Sequence, residues 1–333
     1  MTETRFSPAG LVKSARYGET MNETVLPYLK AHGEAFTVLG AGDKPVHGVL
    51  YRGEGARGTV VFVHGFTENG FKFSELAYSL LMNGFDAVVY DQRGHGLSWR
   101  DEKVRADMSL THVERFSDYV EDLKRVTEYA RSRVSEPLMV FSHSMGGAVT
   151  GLFLMKYPGV FKRAVFCAPM IAPRRMGLPL WTAKAICRTA KLCGQGKKRM
   201  MFGKPYAGPE DFDTSCATGR ERFDWYDAVK QAHEEYHNNG PTYGWTLEAL
   251  NVTESLLAPG APEKITIPVK VYSAQDDGSV LPEEQKLFAG RLKNGTLEKV
   301  PGSRHEIYRS TDEVLFPWWD EILEFFKRET LDA

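Results

Sequence analysis

The sequence predicts an α/β fold: a mostly parallel central sheet flanked by helices, with a helical insertion. Short, nearly continuous apolar runs recur along the chain, and helical patterns lie between them. The alternation stops between about residues 170 and 250 and then resumes. Apolar runs of this kind suit strands buried on both faces, and their alternation with helices implies right-handed parallel crossovers.

Taken in order, residues 1–45, with "ETVLPYLKAH", read as a peripheral extension whose helix leads into the first strands. "GTVVFVHG" (58–65) is a strand ending in glycine. "FSELAYSLLMNG" (73–84) puts Leu76, Leu80 and Leu81 on one helical face and stops at Gly84, a natural C-cap. "FDAVVYD" (85–91) is the next strand, and residues 112–132 repeat apolar side chains from Val113 and Phe116 to Val126 at helical spacing. "PLMVFSH" (137–143), "KRAVFCAP" (162–169) and "IPVKVYSA" (267–274) are further strands. Between the last two, "LPLWTAKAICRTAKLC" and "RERFDWYDAVKQAHEEY" read as amphipathic helices, and no strand is expected there. A helix over 282–291 and a short strand, "TLEKVPG", complete the pattern. The expected division is a core of 1–169 and 251–333 and a cap of 170–250.

A chain of 333 residues can bury about three quarters of its unfolded surface, enough for an enzyme core. With 42% hydrophobic and 26% charged residues and a net charge of −1, nothing points to a nucleic-acid partner. Cys167, Cys187, Cys193 and Cys216 show no C-x-x-C or zinc-type spacing and read as reduced thiols. The N-terminus has no apolar h-region, and no apolar run reaches ~18 residues, so a cytoplasmic location is expected.

The chemistry concentrates in "VFSHSMGGAV" (140–149). A strand ends, a serine follows and a helix begins at once, which is the layout of a nucleophile elbow. Ser144 is the candidate nucleophile. Ser142 stands where the G-x-S-x-G pattern has its first glycine, while Gly146 and Gly147 keep the helix side small. A serine needs a base held by an acid, in the chain order serine, acid, histidine. "SAQDDGSVLP" offers Asp276 or Asp277 after a strand, and "VPGSRHEIYRS" offers His305. The oxyanion donors would be the backbone N–H of Met145 and that of Phe66 in "VFVHGFTENG". His64 and His143 read as turn-packing residues without an acid partner, and "YDQRGHGLS" (90–98) as a structured loop near the site.

"HGFTEN", "YDQRGHGLS", "SHSMGGAV", Asp277-Gly278-Ser279-Val280 and "GSRHEI" together resemble the α/β-hydrolase superfamily, most of all its lysophospholipase and monoacylglycerol lipase branch. "TSCATGRERFDWYDAV" and "NNGPTYGWTLEAL" are similar to the cap of bacterial lysophospholipases. The resemblance covers roughly residues 20 to 328. It implies an α/β-hydrolase fold with an inserted cap, Ser144 as nucleophile, His305 as base and, through the D-x-x-V match, Asp277 as acid. It implies ester hydrolysis of a single-chain lipid without cofactor or metal. Ser142 is the departure from the family's pattern. A short-chain esterase, a peptidase or amidase, or a non-catalytic ligand binder on the same fold are the alternatives.

No Asp or Glu occurs between Ile171 and Gly208, whereas Arg174, Arg175, Lys184, Arg188, Lys191, Lys197, Lys198, Arg199 and Lys204 do. Apolar residues, Trp181 among them, are interleaved. One reading is a positive lid that attracts anionic amphiphiles or touches a membrane surface. The other is a basic face paired with acids such as those of "PEDFD" (209–213). Trp181 and Tyr243 are the candidate substrate-binding residues of the cap.

Overall fold

The computed structural model describes residues 5–175 and 177–331. Its strands are β1 (Gly33–Leu39), β2 (Pro45–Tyr51), β3 (Thr59–Val63), β4 (Asp86–Tyr90), β5 (Leu110–Thr111), β6 (Leu138–His143), β7 (Ala164–Cys167), β8 (Gly240–Pro241), β9 (Val269–Asp276) and β10 (Gly295–Arg304). Eight of them form one sheet in the order β1-β2-β4-β3-β6-β7-β9-β10. From β4 to β10 the neighbours are parallel, and β1 and β2 add an antiparallel edge.

The apolar runs are continuous because both faces of the sheet are covered. Along β3, Val61 and Val63 enter one core and Val60 and Phe62 the other. The helices are α1 (Tyr17–Thr20), α2 (Leu26–His32), α3 (Ser74–Met82), α4 (Ser117–Arg131), α5 (Met145–Lys156), α6 (Leu180–Leu192), α7 (Arg220–Ala232), α8 (Tyr243–Leu257), α9 (Pro282–Ala289) and α10 (Asp312–Leu331). Residues of α4, α5, α8 and α9 share the first core, and residues of α2, α3 and α10 the second.

Three features differ from the sequence reading. The N-terminal extension is anchored rather than peripheral: Leu11, Val12, Met21 and Val25 are fully buried in the second core. The short strand β8 pairs with β5, a segment of two residues that no alternation could reveal. The boundary expected at residue 250 falls inside α8, which has two apolar sides. Leu247 and Leu250 meet Cys187 of α6, while Trp245, Ala249, Val252 and Leu256 enter the first core. No polar break marks the turn from insertion to core.

The segment between β7 and β9 leans on loops at the C-terminal ends of the strands. Asn238 donates to Gly94 O after β4 (2.9 Å), and Arg304, the last residue of β10, donates to Phe212 O and Ser215 O (both 3.1 Å). Arg174 Nη2 donates to the main-chain oxygen of Asp277 after β9 (2.6 Å). That end of a parallel sheet is where ligands are usually bound. Among the described residues no helix is long and apolar enough to cross a membrane.

Candidate active site

β6 delivers Ser144 into a turn of φ 49° and ψ −117°, and α5 begins at the next residue. A non-glycine residue with positive φ is strained and persists only where its surroundings hold it. Here the Ser144 N–H donates to Cys167 O (3.1 Å), and its carbonyl accepts from Gly147 (2.9 Å) and Met170 (2.8 Å). The turn also requires close packing. A Cβ on Gly146 would stand 2.0 Å from Val63 O, and one on Gly147 2.5 Å from Pro169 Cβ. Ser142 escapes this constraint because it lies within β6, fully buried, where its hydroxyl donates to Val165 O (3.1 Å). A buried hydroxyl with a partner is inexpensive.

His305 Nε2 lies 2.8 Å from Ser144 Oγ, and His305 Nδ1 lies 2.8 Å from Asp277 Oδ2. Asp277 Oδ1 accepts from the N–H groups of Ser279 (2.8 Å) and Val280 (3.0 Å). Burial raises the pKa of this carboxyl, but the His305 bond and charge and the two amides outweigh it, so the net shift is downward. Asp276 is exposed at the end of β9, and it is Asp277 that the fold brings to His305.

The loop after β3 packs against the elbow, since a Cβ on Gly65 would lie 3.0 Å from Ser144 Cβ. Thr67 has φ 63° there, and Glu68 folds back to receive the Gly65 N–H. The N–H groups of Phe66 and Met145 meet no acceptor among the described residues. Met145 opens α5, whose first amides are unsatisfied within the helix. The Phe66 ring packs on Trp245 of α8, with centroids 4.1 Å apart. No described contact joins Trp181 or Tyr243 to Ser144. Trp181 is 72% exposed at the start of α6, and Tyr243 packs beside Cys187, Leu247 and Leu250.

His64 is a turn residue as expected: Nε2 accepts from Gln92 N–H (2.8 Å), so Nδ1 donates to Gly65 O (2.7 Å). His143 is not. Its Nδ1 lies 2.8 Å from Glu68 Oε2, an acid partner the sequence reading missed. A buried network continues from Glu68 through Lys72 to Glu306 and Arg309. No periodicity marks these residues. The available signal was Glu68 three places after Gly65, a spacing that lets a carboxylate fold back onto that amide. "YDQRGHGLS" is a braced loop, in which Asp91 accepts from Gly70 and Leu97 and Arg93 pairs with Asp122.

Asp101, His112 and Glu114 bring metal-capable atoms within 4.8 Å of one another. The Lys197 ammonium lies between the two carboxylates, 2.7 Å from Asp101 and 2.8 Å from Glu114, and offsets one of their two charges.

Residues 54–312 match the family model described as serine aminopeptidase, S33. The chain belongs to that family. It is an α/β hydrolase, and it is an enzyme. Among curated relatives, lysophospholipase L2 of Escherichia coli (strain K12) is 30% identical over 298 residues, which is 87% of this chain and 86% of that protein. A monoacylglycerol lipase of Mycolicibacterium smegmatis is 23% identical over 262 residues, covering 78% and 85% of the two chains. Among solved structures, a soluble variant of monoglyceride lipase from Saccharomyces cerevisiae superimposes with a TM-score of 0.69. It is 19% identical, and the match covers 89% of this chain and 96% of that one. A carboxyl esterase from Bacillus coagulans gives 0.67 at 16% identity, covering 90% and 99%. These distant structures speak for the α/β-hydrolase fold alone.

The basic residues after Ile171 divide in two. Lys184 pairs with Glu254, Lys197 with Asp101 and Glu114, and Arg199 with Asp107. The acids are therefore not those of 209–213, where Glu210 instead takes Lys230. Arg175, Arg188, Lys191, Lys198 and Lys204 have no ion pair among the described residues.

Proposed function

We propose that this hydrolase is a serine carboxylic-ester hydrolase acting on single-chain lipid esters, lysophospholipid or monoacylglycerol. The observation that carries the chemistry is the unbroken line Ser144 Oγ, His305, Asp277, with 2.8 Å at each contact and its serine at a strained strand-to-helix turn. Ser144 attacks the ester carbonyl while His305 Nε2 takes its proton. Asp277 holds the imidazole in the tautomer that leaves Nε2 free to accept. The tetrahedral oxyanion sits between the Phe66 and Met145 N–H groups. His305 then protonates the leaving alcohol, and water, activated by the same imidazole, releases the acid. A donor of this kind is worth about 3 kcal/mol to the transition state.

The lipid substrate is supported by the lysophospholipase and monoacylglycerol lipase relatives. It is supported as well by the outer surface of the segment between β7 and β9, read as a cap over 170–250. Trp181, Leu192 and Phe202 are 72%, 88% and 81% exposed there, next to the unpaired cations. Such a surface suits peripheral contact with an anionic membrane. Trp181 and Tyr243 are its proposed substrate contacts.

The test is release of p-nitrophenol from acyl esters of graded chain length by wild type and Ser144→Ala. Turnover that peaks at medium or long chains and falls by several powers of ten in the variant supports the proposal. Activity confined to acetate and butyrate would sink the lipid substrate, and activity indifferent to Ser144→Ala would sink the mechanism. The family description names a peptidase, so an aminoacyl p-nitroanilide belongs in the same series.

A further inference from the structure

His143, the residue before Ser144, is buried and faces two acceptors. Its Nδ1 meets Glu68 Oε2 (2.8 Å), and its Nε2 meets the main-chain oxygen of His305 (3.1 Å). A carbonyl oxygen cannot donate, so Nε2 carries a hydrogen. The Nδ1 proton is decided by Glu68. That carboxylate already receives the Gly65 N–H, the Tyr308 hydroxyl and the Lys72 ammonium, the last at 3.2 Å. Three donors, one of them cationic, hold Glu68 ionised, and the proton on that contact belongs to the ring.

We propose that His143 is an imidazolium at neutral pH and a positioning residue for His305, clamping that residue's main chain behind the reactive ring. The idea rests on reading His305 as the base. The residue that precedes the nucleophile thus also braces the base, so the two reacting side chains are registered by one strand end. The imidazole rings of His143 and His305 are 4.8 Å apart, centroid to centroid.

The surroundings account for the charge. Lys72 also donates to Glu306 (2.6 Å), and Arg309 donates to the other Glu306 oxygen (2.6 Å). On the strand side His143 is level with Cys167 of β7, whose thiol burial pushes well up and keeps neutral. The charged groups of this cluster are Glu68 and Glu306 with Lys72 and Arg309, the His305–Asp277 pair lies beside it, and Glu68 is the one that touches the His143 ring. Burial pushes the His143 pKa down, but the Glu68 charge and hydrogen bond push it up further, and the net shift is upward. Burial raises the Glu68 carboxyl, but the His143 and Lys72 charges outweigh it and hold that carboxyl well below its ordinary range.

The experiment is nitrogen-15 NMR of the full chain labelled at histidine, with His143 assigned through contacts between its ring and that of His305. The expected result is two protonated ring nitrogens at neutral pH, where an ordinary histidine, with a pKa of ~6.5, is mostly neutral. Glu68→Gln removes the carboxylate charge that holds the Nδ1 proton, so His143 should become neutral and, with its remaining proton on Nε2, still reach His305 O. His143→Asn, folded by circular dichroism, should lower kcat by about 10²-fold with KM nearly unchanged, the scale of a misplaced catalytic group. One unprotonated nitrogen in the wild type at neutral pH overturns the charge. An unchanged kcat in folded His143→Asn overturns the positioning role. The charge is separable from failure of the base assignment because the protonation state is read without turnover, and the positioning outcome is separated by His305→Ala, which abolishes turnover only if His305 is the base.

Discussion

Gly146 stands so close to Val63 that a Cβ on it would lie 2.0 Å from that residue's carbonyl oxygen. The start of α5 is thereby pressed onto β3, and this contact sets where Ser144 emerges. Gly146→Ala should cost about 3 kcal/mol or more, since backbone must move, and should slow labelling of Ser144 by a serine-reactive phosphonate. Ser142→Gly makes the matching control by restoring the family's pattern. It removes a satisfied hydroxyl and adds a glycine to a strand, so about 1 kcal/mol is lost and Tm falls by roughly 2 °C. Phosphonate labelling should stay within a few-fold of wild type. A large loss in Ser142→Gly would mean that the hydroxyl bond to Val165 O shapes the elbow.

Asp277 and Asp276 are adjacent in sequence and opposite in consequence. Asp277→Asn removes the charge that orients His305 and should lower kcat by about 10⁴-fold, the scale seen when such an acid becomes an amide. Asp276→Asn, exposed and away from His305, should leave kcat near wild type. The folded Asp277 carboxyl has a lowered pKa. Its contribution to stability is therefore present above the unfolded value of ~3.9 and disappears as pH falls through the folded value. Urea unfolding from about pH 6 down to about pH 3 should show a shallower acid loss in Asp277→Asn than in wild type.

How far the sequence led depends on what each residue answers to. The strands β3, β4, β6, β7 and β9 were legible because burial on both faces leaves an unbroken apolar run. Ser144 and His305 stood out as candidates because a turn and a chain order constrain them, whereas the spacing allowed Asp276 or Asp277 alike and only the D-x-x-V resemblance preferred Asp277. Glu68, Lys72, Glu306 and Arg309 were not legible. The ion pairs among them span 3 to 234 residues, and charged side chains in loops look solvent-exposed until the fold closes over them. Arg222 of α7 is the extreme case, a fully buried arginine that any helical pattern would assign to water.

Arg222 ties three distant parts of the chain together. It donates to both oxygens of Glu75 (3.0 Å each), to Asp312 (2.7 Å) and to the carbonyl of Val12 (2.7 Å). Glu75 also receives the Tyr17 hydroxyl (2.9 Å). Removing one member of a buried ion pair leaves the other uncompensated and typically costs 3–5 kcal/mol, roughly independent of what replaces it. Arg222→Met should lower Tm by roughly 6–10 °C. Arg222→Lys should recover little, because an ammonium cannot reproduce the planar fork. Arg222→Met together with Glu75→Gln should recover part of the loss, which thermal unfolding of the three variants would show.

The exposed apolar residues around α6 lead to the last prediction. Leu192 and Phe202 are 88% and 81% exposed, so replacing them removes no core packing. Arg188, Lys191 and Lys198 lie nearby in sequence, unpaired among the described residues. A surface that joins exposed apolar area to unpaired cations should favour anionic lipid, by about 1 kcal/mol per cation near the membrane. The double variant Leu192→Ser, Phe202→Ser should therefore sediment less with phosphatidylglycerol vesicles than wild type. Wild-type binding should weaken as salt rises, since exposed charges are screened beyond about 8 Å at physiological ionic strength. Hydrolysis of a dissolved butyrate ester should be unchanged, because neither side chain touches Ser144 in any described contact. Equal sedimentation of wild type and variant would remove α6 from the membrane contact, and a parallel loss of butyrate hydrolysis would mean that the two residues serve the site rather than the surface.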